Sequence, residues 1–413
     1  MNLLSRRIYA AVAALAVFAA SVAQVRPGIE VLADSGFASL KGKRVGLLTN
    51  ATGVDSRLKS TVDILHEAPG VELVALFAPE HGVRGDVAAG EKVPPATDPS
   101  TGIKVHSLYG ATKTPTPEML AGIDVMVYDI QDNGCRSYTF ISSMGQAMEA
   151  CARAGKEFMV LDRPDPLGGN KTEGAPTAPG NSSFVARYPI PYIYGLTPGE
   201  LARMIVGEGW IKSQKPLNLT VVPMEGWERD MLWEDTVLPW VPTSPQLPSA
   251  ETAIYYPATG ILGELDYLSI GVGYTLPFRT FAATWINGQK LAAELNSMNI
   301  PGVLFRPISY KPYFGFEAGK QLHGVEVYVT DFDAAPLTLV QFYAMEALAR
   351  LYPAHKASAG ARAARFGMFD KVMGDKSLRP LFFRSHSVAD LLPAWQKGVD
   401  EFRAKKEKYH IYR

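Results

Sequence analysis

The sequence predicts an α/β fold: a parallel sheet packed between helices in the first half of the chain, followed by a second, smaller domain of mixed strands and helices. Three observations predict it. Short apolar runs of strand length alternate with helix-length segments over residues 44–222, and such alternation implies a parallel sheet with right-handed crossovers. Polar side chains stand just past four successive strands. A proline recurs every third residue at Pro239, Pro242, Pro245 and Pro248, which favours an extended, stiff connector and marks a domain boundary.

The first residues read as an export signal. Arg6 and Arg7 precede an apolar run over residues 8–20, and Ser21-Val22-Ala23 offers the small residues a signal peptidase reads. Residues 1–23 are therefore expected to be a signal peptide, and the mature protein to be periplasmic or secreted. The run is shorter than the ~20 residues a bilayer span needs, and no cysteine stands at the cut to take a lipid, so no stable membrane span is expected. Cleavage removes two of 41 basic residues and no acid, leaving 39 basic against 41 acidic side chains, a net charge of −2. Such a chain has no bulk attraction for nucleic acid. At 47% hydrophobic, the remaining residues suffice for two or three domains with substantial cores. Residues 24–238 are assigned to the first, and residues 239–413, the proline-rich connector included, to the second.

Taken in order, residues 44–49 form the first strand, and Ser60 caps a helix over 60–67. Residues 71–77 are almost uninterruptedly apolar, as in a strand covered on both faces, and Pro79 cannot continue the ladder. Thr116-Pro117-Glu118 opens a helix with a cap and a first-turn proline. A third strand covers 124–129, a helix closed by Gly155 covers 142–154, and a fourth strand covers 157–161. Thr197-Pro-Gly-Glu200 begins another helix, and 219–222 is one more strand. Beyond the connector, 302–306 and 325–330 read as strands, and 337–351 and 387–405 as helices.

The chemistry gathers at the strand ends. The first strand delivers Asn50, the second Glu80, the third Asp129-Ile-Gln-Asp132, and the fourth Asp162-Arg163. Parallel strands point the same way, so these groups meet at one edge, where ligands of open α/β sheets bind. Each taken alone could still be a helix cap, since Asp and Asn are favoured there for structural reasons, but four such ends together point to a shared polar site. The stretch Pro79-Glu-His-Gly-Val-Arg-Gly85 is the richest, with Glu80, His81 and Arg84 among turn-forming glycines. In the second half, Gly263-Glu-Leu-Asp-Tyr-Leu-Ser-Ile-Gly-Val-Gly273 carries Glu264 and is placed to face the first domain across a cleft.

Several chemistries are set aside. Thr49-Asn-Ala-Thr-Gly53 lacks the glycines a dinucleotide would need after the first strand. No phosphate-binding loop, Gly-x-Ser-x-Gly elbow or His-Glu-x-x-His pair occurs, and no cofactor or metal is expected from the ligand spacing. Cys135 and Cys151 read as small buried residues rather than a disulfide.

Five motifs, Arg44-Val-Gly-Leu-Leu-Thr-Asn-Ala-Thr-Gly-Val-Asp55, Ala78-Pro-Glu-His-Gly-Val-Arg-Gly85, Val105-His-Ser-Leu-Tyr-Gly110, Asp129-Ile-Gln-Asp-Asn-Gly-Cys-Arg-Ser-Tyr138 and Leu161-Asp-Arg-Pro-Asp-Pro-Leu-Gly-Gly169, occur in this order. Together they closely resemble the exo-β-N-acetylmuramidases of the NamZ type. The resemblance spans the chain from about Gly28 to the C-terminus. It implies a Rossmann-like first domain without a dinucleotide, a smaller α/β (α+β) C-terminal domain, and an active cleft between them. It also implies an exo-acting glycoside hydrolase that releases N-acetylmuramic acid from the non-reducing end of peptidoglycan fragments. In the second domain Glu264 is kept, but Val272 stands where many relatives have an arginine.

A glycosidase needs an acid to protonate the leaving oxygen and commonly a second carboxylate. Glu80 is assigned as the acid and Asp132 as its partner, with Glu264 behind it. Asn50, His81, Arg84, Arg136, Tyr138 and Glu264 are the substrate-binding candidates. Arg136 is expected to hold the lactyl carboxylate of muramic acid, because a guanidinium fork suits a carboxylate, while Arg84 pairs with an acid near Glu80. The other readings are a metal-dependent sugar deacetylase or esterase, and a non-catalytic solute-binding protein.

Overall fold

The computed structural model describes residues 24–80, 82–85, 96–110 and 112–413; the expected signal peptide and His81 lie outside them. Among the described residues the first lobe is built on a sheet of seven strands, β1 (Arg44–Thr49), β2 (Glu72–Ala78), β3 (Ala96–Thr97), β4 (Lys104–Ser107), β5 (Val125–Asp129), β6 (Glu157–Leu161) and β7 (Leu219–Val222), in the order β3-β4-β2-β1-β5-β6-β7. All neighbours are parallel except β3 with β4. From β1 the chain winds outward through β2 to β4, then crosses back to β5 and on to β6 and β7. Winding reverses between β1 and β5, whose register pairs Val45 with Val125 and Thr49 with Asp129. That reversal opens a crevice at the strands' carboxyl ends.

Helices α1 (Gly28–Asp34), α2 (Thr61–Glu67), α3 (Pro117–Leu120), α4 (Phe140–Ala154) and α5 (Pro198–Gly207) accompany this sheet. Three of their starts follow the expected capping chemistry: Ser60 accepts from the Val62 amide, Thr116 from the Met119 amide, and Thr197 with Glu200 completes a capping box at α5. Gly155 ends α4 in the left-handed region. Because helices cover both faces, β5 is buried along its whole length.

The second lobe holds α6 (Ala250–Gly263), β8 (Thr280–Ala283), α7 (Gly288–Ser297), β9 (Val303–Tyr310), β10 (Leu322–Val329) and α8 (Leu337–Leu351), then the short helices α9 (Ala357–Gly360), α10 (Phe366–Met373), α11 (Leu378–Ser385), α12 (Val388–Trp395) and α13 (Val399–Lys406). Its sheet is antiparallel, in the order β8-β10-β9. The helix expected over 387–405 is two helices, because Gly398 takes a φ of 79° between them. The connector also departs from expectation. A turn bonds the Leu247 amide to the Ser244 carbonyl, and the Trp240 indole donates to the Leu247 carbonyl, so the prolines line a bent, packed segment rather than an extended rod.

The two lobes share their interior. Cys135, Leu167, Tyr192 and Ile193 of the first lobe pack in one cluster with α6 and α8, while Phe402 of α13 returns to the core of the first. Lys406, nearly buried, places its ammonium within hydrogen-bond distance of Gly169, Tyr194 and Gly195 carbonyls and the Thr172 hydroxyl. Cys135 and Cys151 are both buried and free. Among the described residues no helix is long and apolar enough to cross a membrane.

Candidate active site

Glu80 lies two residues past β2 and is held by hydroxyls from two neighbouring elements. Tyr109, beyond β4, donates to Glu80 Oε1 at 2.7 Å, and Thr139, at the start of α4, to Oε2 at 3.3 Å. Burial and the adjacent Glu80 carboxylate hold the Tyr109 phenol above its ordinary value, so it remains a donor at neutral pH.

Glu80 opens onto a cleft of about 440 Å³ whose other wall comes from the second lobe, a size typical of small-molecule sites. Its floor includes Ser137, Tyr138 and Tyr256. The Tyr138 and Tyr256 rings meet edge to face at 5.6 Å, and Ser137 Oγ lies 3.2 Å from the Tyr256 hydroxyl. Tyr138 donates to Thr243 Oγ1 at 2.8 Å, which ties the floor to the bent connector. Burial holds both phenols above their ordinary value; Glu80 adds to the rise at Tyr138, and Glu264 to that at Tyr256. The two acids thus flank one aromatic floor.

Glu264 follows directly on α6, and Asp266, Val272, Phe278 and Phe316 share its wall. Burial raises the Glu264 carboxyl above the usual range, and the Arg365 guanidinium opposes the shift. Arg365 donates from Nη2 to Glu264 Oε2 at 2.8 Å and from Nε to the Glu264 carbonyl at 3.0 Å. Two carboxylates lining one half-apolar cleft can deliver and accept protons about a bond held between them, as glycoside hydrolysis requires.

Of the residues selected from the sequence, the cleft brings together Glu80, Tyr138 and Glu264. Asp132 is not there. It is 2% exposed, with Oδ1 accepting from the Asn133 and Gly134 amides and from the Tyr194 hydroxyl at 2.8, 3.0 and 3.2 Å. The chain after β5 dives beneath the connecting loops, and burial pushes the Asp132 carboxyl up to about 7.

Arg136 is corrected as well. It is fully buried, and its two terminal nitrogens donate to four carbonyls, of Ala175 and Ile190 in the first lobe and Val372 and Met373 in the second. Those last two carbonyls end α10, where the helix dipole favours a cation. A Cβ on Gly374 would come within 2.6 Å of Nη2, so glycine is needed beside the guanidinium. Arg136 is a clamp between lobes and offers nothing to a ligand in the cleft.

Asn50 is also held by local structure, its Oδ1 accepting from the Thr52 amide and hydroxyl. With Arg84 it lines an adjoining groove of about 320 Å³, behind residues 241–245 of the connector. Arg84 pairs with Asp98 at 2.9 Å and Asp63 at 3.1 Å. Arg163 is engaged by Asp129 in a buried pair.

Tyr109, Thr139, Tyr256, Phe316 and Arg365 are cleft or support residues that the sequence did not disclose. Tyr109 sat inside a noted motif, but nothing in the chain announces that Arg365, 101 residues from Glu264, folds back to it. Among the described residues no group of three or more His, Cys, Asp or Glu is placed to hold a metal.

A family model described as exo-β-N-acetylmuramidase NamZ, N-terminal, matches residues 45–251, and its C-terminal counterpart matches residues 254–412. The chain is 43% identical over 389 residues to the peptidoglycan β-N-acetylmuramidase NamZ of Bacillus subtilis (strain 168), covering 94% of this chain and 92% of that protein. It is similar to a crystal structure of a DUF1343 family protein from Bacteroides fragilis NCTC 9343, with a TM-score of 0.91, 52% identity, and coverage of 94% of this chain and 99% of that one. A second DUF1343 family protein of that organism gives a TM-score of 0.76 at 27% identity, covering 95% and 99%.

Proposed function

The chain belongs to the exo-β-N-acetylmuramidase NamZ family, and from that premise we propose that it is an exo-acting glycosidase that releases N-acetylmuramic acid from the non-reducing end of peptidoglycan fragments. The observation that carries the reading is the pair Glu80 and Glu264 lining one cleft, one from each lobe. Glu80 is the acid that protonates the departing glycosidic oxygen, steadied by Tyr109 and Thr139. Glu264 replaces Asp132 as the second carboxylate, because a group that does not line the cleft cannot touch the reacting centre. Tyr256, Phe278 and Phe316 supply apolar faces for the sugar ring.

The test is product analysis on a disaccharide of N-acetylmuramic acid linked to N-acetylglucosamine. Release of both free sugars is expected, and Glu80→Gln should lower turnover ~10²–10⁴-fold, the usual worth of a positioned acid. Acetate as the product would point to a deacetylase, and tight binding without turnover to a solute-binding protein; either sinks the glycosidase reading. Arg6, Arg7 and the apolar run after them support export to the periplasm or medium. N-terminal sequencing of the mature protein should then begin at Gln24, and an intact Met1 would overturn the export assignment.

A further inference from the structure

The wall around Glu264 is short of positive charge for a substrate that is an anion. Among the described residues lining the cleft, Arg365 is the single cation, set against Glu80, Glu264 and Asp266. Asp266 is paired with Arg362 at 2.7 Å, so that arginine is already engaged. An anionic ligand in a cleft of carboxylates meets like-charge repulsion unless a cation receives it.

Arg365 is built for this. Glu264 grips one edge of its guanidinium through Nε and Nη2, which fixes the plane of the fork. The opposite edge, Nη1 with the second hydrogen of Nη2, has no partner among the described residues, and the side chain is 43% exposed. A guanidinium held on one edge presents the other as two parallel donors, the match for a carboxylate. Arg365 also lines the same cleft wall as Val272, the position where the sequence motif has no arginine.

Resting on the function proposed above, we propose that Arg365 is the specificity-determining residue that receives the lactyl carboxylate of N-acetylmuramic acid, with Glu264 holding its fork in place. Arg365 is thereby a bridge between the substrate's anionic substituent and the second carboxylate, and binding of the one orients the other.

The experiment uses the full-length mature protein and two chromogenic glycosides, one of N-acetylmuramic acid and one whose lactyl carboxyl is the neutral primary amide. The wild type should prefer the acid. Arg365→Ala should lower kcat/KM on the acid by roughly 30-fold or more relative to the amide, mainly through KM, as expected for stranding one half of a charge pair. Arg365→Lys should restore part of the preference, which a merely structural role would not do. Arg365→Gln provides a second neutral variant of similar size, and melting curves accompany each. Equal loss on both substrates, or an unchanged preference in the neutral variants, overturns the assignment and leaves the glycosidase reading standing. No sugar released from either glycoside by the wild type overturns the function itself and this inference with it.

Discussion

At the scale of single residues, carboxylate and guanidinium chemistry follows from surroundings rather than from residue type. Glu80 and Asp132 both sit past parallel strands, yet one opens on the cleft and the other is sealed under it. Arg136 and Arg365 differ in the same way: the first donates only to carbonyls, while the second keeps a free edge in the cleft. Arg136→Ala should therefore cost about 3–5 kcal/mol of folding stability, since four buried carbonyls lose their donors. Denaturation in urea measures this. Loss of the acid preference in folded Arg136→Ala protein would instead return Arg136 to the binding site.

At the scale of elements, the first lobe completes helix ends of the second. Helix α8 begins after Pro336, which has no side-chain acceptor, and Glu173 of the first lobe takes the Thr338 amide at 2.8 Å and the Leu337 amide at 3.3 Å. An acceptor with negative charge at a helix N-terminus satisfies orphan amides and complements the dipole. Glu173→Ala should destabilise the protein by about 1–2 kcal/mol, with Glu173→Gln recovering part of the loss. A melting midpoint unchanged in both variants would mean that water replaces the cap. The break between α12 and α13 belongs to this scale too. Apolar spacing continues through it, so periodicity alone reads one helix, and only Gly398 marks the turn that lets α13 fold back on the first lobe.

For the whole molecule, the shared interior leaves its mark on pH dependence. Asp132 and Asp165 each keep one buried oxygen with no partner among the described residues. Burial pushes them up to about 7 and about 8, and the Asp132 charge adds to the rise at Asp165. An acid whose folded pKa lies above its unfolded value near 4 binds its proton more tightly in the folded state. Stability from this source is therefore fully present below about pH 4 and is lost as pH rises through 7 to 8. Thermal midpoints of the wild type should fall between pH 5 and pH 9 more steeply than those of an Asp132→Asn, Asp165→Asn double variant. An equal slope in the two proteins would show that neither carboxyl titrates in that window.

The sequence by itself determined the layered α/β plan, five of the seven first-lobe strands found among the described residues to within a residue, and most of its helix starts, and it singled out Glu80, which lines the cleft. These follow from local rules: apolar runs that fit buried strands, prolines that end them, and hydroxyl side chains that satisfy the first amides of a helix. The strand-end polar groups were visible too, but not which of them faces solvent. The chain after β5 is buried without a break from Asp129 to Tyr138, and that burial is set by the loops above rather than by any alternation in the segment itself. Tertiary structure alone decided that Asp132 is sealed, that Arg136 clamps two lobes, and that Arg365 reaches Glu264 from 101 residues away. Contacts at such separation depend on how the second lobe's short helices stack, and that arrangement comes from the interior both lobes share rather than from any local pattern.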